Sequence, residues 1–242
     1  MPIDPEPPAA HRPTGTGRWL VVLAVGATLT AGCRPVADAD RGFDQAQLVN
    51  TLASRVAVGE QRDHTAEYQA LGGPAWVTRQ ATPPRTVYRH PDGLLMVDRK
   101  ATTECDAGAA VTCRRSLPPT GGANPRADLF DEPGATALVP PRLVISLLTA
   151  AAMDPSATIE QGRSSVAGEP ATCVRASGLT GAPAPGFAAC LTDGGVLASF
   201  DATVNGRTLS IRLSRLTDRA DVARFALPAG SVVVDERPPG AR

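Results

Sequence analysis

Val196–Leu216 reads VLASFDATVNGRTLSIRLSRL, and its pattern decides the fold. Asn205-Gly206 at its centre is the strongest short hairpin signal, because a two-residue turn matched to strand twist needs positive φ at both positions. After the turn, Leu209, Ile211 and Leu213 alternate with Ser210, Arg212 and Ser214. Before it, Val196, Ala198 and Phe200 alternate on the partner strand. Period-two alternation of this kind makes one face apolar and the other wet, which describes a one-sided antiparallel sheet.

Working outward, the same sheet continues on both sides. Thr158–Val166 and Ala171–Ser177 flank the turn Ala167-Gly168-Glu169-Pro170, and Phe187–Leu191 leads through Asp193-Gly194-Gly195 into the hairpin. Downstream, Asp218–Phe225 suits a helical turn and Ser231–Val234 a closing edge strand. Upstream, the period shifts toward two from Thr65 to Arg115. Trp76–Gln80, Arg85–Arg89 and Leu94–Arg99 are strand candidates, the last two joined by the turn chemistry of His90-Pro91-Asp92-Gly93. His64 and His90 each stand alone, as exposed loop histidines would.

Two segments change period. Leu48, Val49, Leu52, Ala53 and Val56 recur at helical spacing behind Asp44 and Gln47, a capping-box-like start, so Gln45–Val58 is predicted to be a one-faced helix ending near Gly59. Pro140-Pro141 opens a second helix, Arg142–Met153, with Leu143, Val144, Leu147, Leu148 and Ala151 on one face. Asp154-Pro155 ends it. A sheet with one apolar face must be covered, and these helices are the elements available to cover it. The fold class is therefore α+β.

The N-terminus carries a different message. Trp19–Cys33, WLVVLAVGATLTAGC, follows Arg12 and Arg18, and its apolar run is too short to span a bilayer core of about 30 Å. A basic flank, a short apolar stretch and a small-residue site describe a secretory signal. Ala31-Gly32-Cys33 resembles the lipobox of bacterial lipoproteins, with Thr30 where Leu is usual. That resemblance implies cleavage before Cys33, a lipid on its thiol, and a place on the outer face of the cytoplasmic membrane. The alternative is an ordinary signal peptide or an uncleaved anchor whose cysteine is coincidental. The expected organisation is a signal at 1–32, a lipidated tether at 33–43, one domain at 44–236 and a tail at 237–242.

Removing residues 1–32 discards two acidic and two basic residues, so 210 residues of zero net charge remain. A neutral chain offers no electrostatic case for nucleic acid or for an anionic membrane surface. Lys100 is the only lysine against 23 arginines, a bias that suggests a GC-rich, actinobacterium-like genome. Four cysteines follow Cys33, an even number that reads as two disulfides outside the cytoplasm. Cys105 and Cys113 flank one predicted turn and Cys173 and Cys190 another, which favours those pairings over the two that join remote halves.

No catalytic pattern is found. The chain has no G-x-S-x-G, a single lysine excludes S-x-x-K, and no Cys or His pair has zinc-ligand spacing. No enzyme, cofactor or metal is expected. Asp128, Asp131 and Glu132 match no calcium loop and read as a solvated turn. They lie in Arg114–Val139, a Pro- and Gly-rich segment too long for an ordinary connection.

The run Val166–Val174 (VAGEPATCV), then Phe187–Leu197 (FAACLTDGGVL), then the Asn205-Gly206 hairpin resembles the second half of a LolA-like lipoprotein-carrier domain. It is nearest in style to the LppX/LprG group of actinobacterial lipid-binding lipoproteins. The resemblance implies a half-open, strongly curved sheet, a half-barrel, whose concave apolar face is capped by helices and binds acyl chains or an acylated partner. On that basis a ligand cavity is expected between Leu143, Leu147 and Leu148 of the second helix and Val196, Phe200, Leu209, Ile211 and Leu213 of the sheet. Arg114–Val139 would then be a lid near its mouth. The competing expectation is a filled core, in an extracytoplasmic interaction or signalling-regulator module with an unidentified membrane-protein partner.

Overall fold

The computed structural model describes residues 35–107, 111–118, 139–204 and 206–239, with side chains from Gly42 onward. Cys33, the expected signal at 1–32, Asn205 of the hairpin turn and the central part of the expected lid, 119–138, lie outside the described residues.

The strands are β1 (His64–Ala70), β2 (Gly73–Gln80), β3 (Arg85–His90), β4 (Gly93–Asp98), β5 (Thr102–Asp106), β6 (Thr112–Ser116), β7 (Thr158–Val166), β8 (Glu169–Ser177), β9 (Gly186–Thr192), β10 (Leu197–Val204), β11 (Arg207–Thr217) and β12 (Val232–Asp235). They form one sheet in the order β12-β6-β5-β4-β3-β2-β1-β11-β10-β9-β8-β7. Two meanders, β1–β6 and β7–β11, are thus sewn together where β1 runs antiparallel to β11, with Tyr68 opposite Leu213 and Ala70 opposite Ile211. The sheet is unclosed but strongly coiled. β7 comes back into contact with β11 although β8, β9 and β10 lie between them.

The hairpin read from Val196–Leu216 is present, with Phe200 opposite Ile211 and Ala202 opposite Leu209. Its apolar row continues across the sheet, because Phe200 also faces Ala189 and Ala189 faces Val174. On this face, α1 (Pro35–Gly59) contributes Leu52 and Val56, and α2 (Pro141–Met153) contributes Val144, Leu147, Leu148 and Ala151, to the same buried cluster as the strands. The rings of Phe187 and Phe200 stack within it, 6.3 Å between centroids. A smaller cluster lies on the opposite face, where Phe225 covers Val87, Leu94, Cys105 and Cys113.

Several expectations need correction. α1 begins at Pro35 rather than near Asp44, so residues 35–43 of the expected tether are helical backbone. Proline's fixed φ suits a first turn, and an interior Gly42 costs a helix only about 1 kcal/mol. Arg114–Ser116, read as loop, belongs to β6. The closing strand β12 is an edge strand as expected, but it pairs parallel with β6, not antiparallel. The chain after β11 crosses the outer face under Phe225 and so reaches the far edge running in the same direction as β6. His90 is no exposed loop residue: it ends β3 at 7% exposure, and burial lowers its pKa.

Candidate functional site

A cavity of about 320 Å³ opens between the first turn of α2, the end of α1 and the inner face of β1–β3. Its floor is apolar: Tyr68 from β1, Val77 from β2 and Tyr88 from β3, with Val196, Leu197 and Ile211 behind them. Alternation places these side chains. Ala66 pairs with Val77 and Val77 with Tyr88, so all three share the inner face. Tyr68 is fixed by a hydrogen bond from its hydroxyl to the Leu197 carbonyl, 2.9 Å long. Burial pushes the Tyr88 hydroxyl up to about 12 and raises that of Tyr68 as well, so both rings stay neutral.

Two glycines set how closely α1 approaches. Gly195, in the β9–β10 turn, has φ +79, and a Cβ there would lie 1.8 Å from the Arg55 carbonyl oxygen. A Cβ at Gly59 would meet the Gly195 carbonyl at 2.8 Å. The end of α1 therefore rests on bare backbone. Arg55 secures it by donating to Thr172 Oγ1 at 2.8 Å and to Asp193 Oδ1 at 3.0 Å.

The rim is charged. Glu60, the residue after α1, accepts a fork from Arg142, Nε at 2.7 Å and Nη2 at 2.5 Å. That hydrogen bonding raises the Arg142 pKa further. The Glu60 carbonyl accepts from Arg79 Nε, and Arg79 Nη1 donates to Thr86 Oγ1 at 3.0 Å. Arg79 thus spends its donors on neutral acceptors, while Arg142 holds the carboxylate. His64 also borders the space, and desolvation, assisted by the Arg79 and Arg62 charges, lowers its pKa to about 4. It is neutral at pH 7. The first turn of α2 contains no acidic residue and Pro140 supplies no side-chain cap, so the positive end of its dipole lies at the rim beside the Glu60–Arg142 pair. Such a site can bury one apolar chain and hold its end among fixed positive charges. Among the described residues no group of His, Cys, Asp and Glu is placed to hold a metal ion.

Of the residues named from sequence, Leu143, Val196 and Ile211 border the cavity. Leu147, Leu148, Phe200, Leu209 and Leu213 do not. They are buried at 7% exposure or less and fill the core beside it. The stacked rings of Phe187 and Phe200 belong to the same filled cluster, and the space lies toward β1–β3. Sequence reasoning missed Glu60, Tyr68, Val77, Arg79 and Tyr88. One signal was available: the chain has only two tyrosines, both in short strands, and Tyr68 stands between the polar Glu67 and Gln69. Both predicted disulfides are present, Cys105–Cys113 across β5 and β6 and Cys173–Cys190 across β8 and β9.

No protein-family model matches the sequence, and no curated protein sequence matches it. Among solved structures the chain is similar to a crystal structure of MucB, with TM-score 0.46 and 16% identity over 78% of this chain and 64% of that one. It is similar to the MucA/MucB complex of Pseudomonas aeruginosa at TM-score 0.43, 19% identity, 79% and 63% coverage. A DUF1329 family protein from Desulfovibrio piger follows at TM-score 0.26, 11% identity, 76% and 93% coverage. The chain spans just under two thirds of the MucB chains it matches. The half-open, coiled sheet, with two α-helices among the described residues, is the half-barrel expected from the sequence, and nothing in it is particular to the LppX/LprG group.

Proposed function

We propose that this chain is an extracytoplasmic lipoprotein, anchored through a lipid on Cys33, that binds a single acyl chain between α2 and the inner face of β1–β3. The observation that carries this is the cavity itself: about 320 Å³ with a floor of Tyr68, Val77, Tyr88, Leu197 and Ile211. Ligand pockets run from about 300 to 1,000 Å³, so this one suits one chain rather than several. Affinity comes from apolar burial, about 0.8 kcal/mol per CH₂ before the ordering costs of binding. The lipobox-like Ala31-Gly32-Cys33 supports the anchor, and the lack of any catalytic pattern supports a binding role rather than an enzymatic one.

A second reading is an interaction or signalling-regulator module. It draws on the edge strand β12, where Val232, Val233 and Val234 are 64%, 40% and 44% exposed. MucB has been solved with a bound MucA. One measurement separates the two readings. Native mass spectrometry of the full chain should show a non-covalent lipid, and Leu143→Trp, which projects an indole into the cavity, should remove it with little change in melting temperature. A wild-type spectrum without lipid, unaltered by added fatty acid, would leave the interaction module.

A further inference from the structure

The cavity's charges are unequal. Among the described residues that border it there is one carboxylate, Glu60, against two guanidiniums, Arg79 and Arg142, and the neutral imidazole of His64. The uncapped first turn of α2 adds the positive end of a helix dipole on the same side. Glu60 engages Arg142 in a two-toothed pair, but its side chain keeps 21% exposure and Arg142 keeps 58%, so the pair stands at the opening and not behind it. Arg79 meets the same opening with its charge resting on a carbonyl and a hydroxyl.

Resting on the acyl-chain reading above, we infer that the ligand is a single-chain amphiphile with an anionic oxygen head, and that this head takes the place of the Glu60 carboxylate on Arg142. The geometry has the parts for the exchange. A guanidinium presents parallel N–H donors that accept a carboxylate or a phosphate equally well. The Tyr68 hydroxyl is already spent on the Leu197 carbonyl and the groups with full charge all stand at the opening, so an anionic head stays at the rim. A neutral head would leave the Glu60–Arg142 pair intact and gain nothing from either cation. Carboxylate and phosphate heads share this chemistry, and the choice between them is left to measurement.

The test titrates lipid-stripped full-length protein with palmitate, hexadecyl phosphate and hexadecanol, three probes with the same chain, and counts bound ligand by native mass spectrometry. At pH 7 at least one anion should bind roughly tenfold or more tightly than hexadecanol, the scale of one charge-assisted hydrogen bond. The tighter of the two anions names the head. Arg142→Gln should bring the anions to parity with hexadecanol, and Glu60→Gln should widen the gap, because it removes the competing carboxylate. Hexadecanol affinity should stay constant in both variants. If hexadecanol binds the wild type as tightly as the anions, this inference is wrong and the acyl-chain reading survives. Should none of the three bind, both fall.

Discussion

The two meanders of the sheet are built alike in topology and differ in what fills their inner face. Under β7–β11, Phe187, Leu191 and Phe200 are buried in one cluster with Leu147 and Leu148 of α2, and none of the five borders the cavity. Under β1–β3, Tyr68, Val77 and Tyr88 face the first turn of α2 and the end of α1 across a cavity, with Val196, Leu197 and Ile211 behind them. The outer faces differ as well. β1–β6 carries a second core beneath Phe225, whereas β7 is polar and exposed along most of its length. One sheet thus contains a solid half that carries stability and a hollow half that carries the site.

The largest expected effect is a contrast in truncation. Phe200→Ala should cost about 3–5 kcal/mol, because Phe200 is fully buried and its neighbours are held in strands that collapse little. Leu143→Ala, at the cavity wall, should cost about 1 kcal/mol, since it only enlarges an existing space. Urea unfolding of both variants measures the difference. Equal costs would mean that the two halves are packed alike and that the cavity closes in solution.

The solid half was also the legible half. Its strands run seven to eleven residues with one wet face, so Leu209, Ile211 and Leu213 declare their side by alternation alone. In β1–β6 both faces are partly covered, so Val87 and Tyr88 are adjacent, one in each core, and the period-two signal blurs. That is why alternation does not single out β1, why His90 reads as a loop residue, and why the sequence points to Phe200, Leu209 and Leu213 beside the cavity as well as to Val196 and Ile211, which border it. The latch of Glu60, Arg79 and Arg142 joins residues from three separate elements. Nothing in local sequence brings them together. The cysteines were legible because each pair brackets a turn that the strand pattern already defines.

A second contrast tests how the hollow half is held open. Gly195→Ala should cost about 2 kcal/mol or more, because it adds a Cβ at positive φ against the Arg55 carbonyl. Relief requires the end of α1 to lift from the β9–β10 turn, which moves Gly59 and Glu60 at the rim. Lipid retention should therefore fall in this variant while the core under β7–β11 keeps its near-UV signal. Gly206→Ala is the control, because φ is +78 there too but no atom lies within 4 Å of the added carbon. A comparable loss of lipid in both variants would assign the effect to backbone strain and release Gly195 from any role in seating α1.

The smallest expected effect is in pH dependence, and it too should belong to the hollow half. Both histidines of the described structure, His64 and His90, lie in β1 and β3, and the sequence holds none beyond His90. The His64 pKa falls from an ordinary 6.5 to about 4 on folding, chiefly through desolvation. Above pH 6.5 both the folded and unfolded chains carry it neutral, and its contribution is complete. Between 6.5 and 4 the unfolded chain takes up the proton first, so stability is lost as pH falls through that window. A full shift of that size corresponds to about 3 kcal/mol, but the ring borders an opening to solvent, and with that screening about 1 kcal/mol is the expected loss at pH 4.5. Burial lowers the His90 pKa too, so the informative quantity is a difference between proteins. Unfolding free energies of wild type and His64→Gln at pH 7 and pH 4.5 supply it, with the variant losing about 1 kcal/mol less on acidification. An identical loss would show that His64 is hydrated in solution, and that the cavity beside it is wetter than its apolar floor implies.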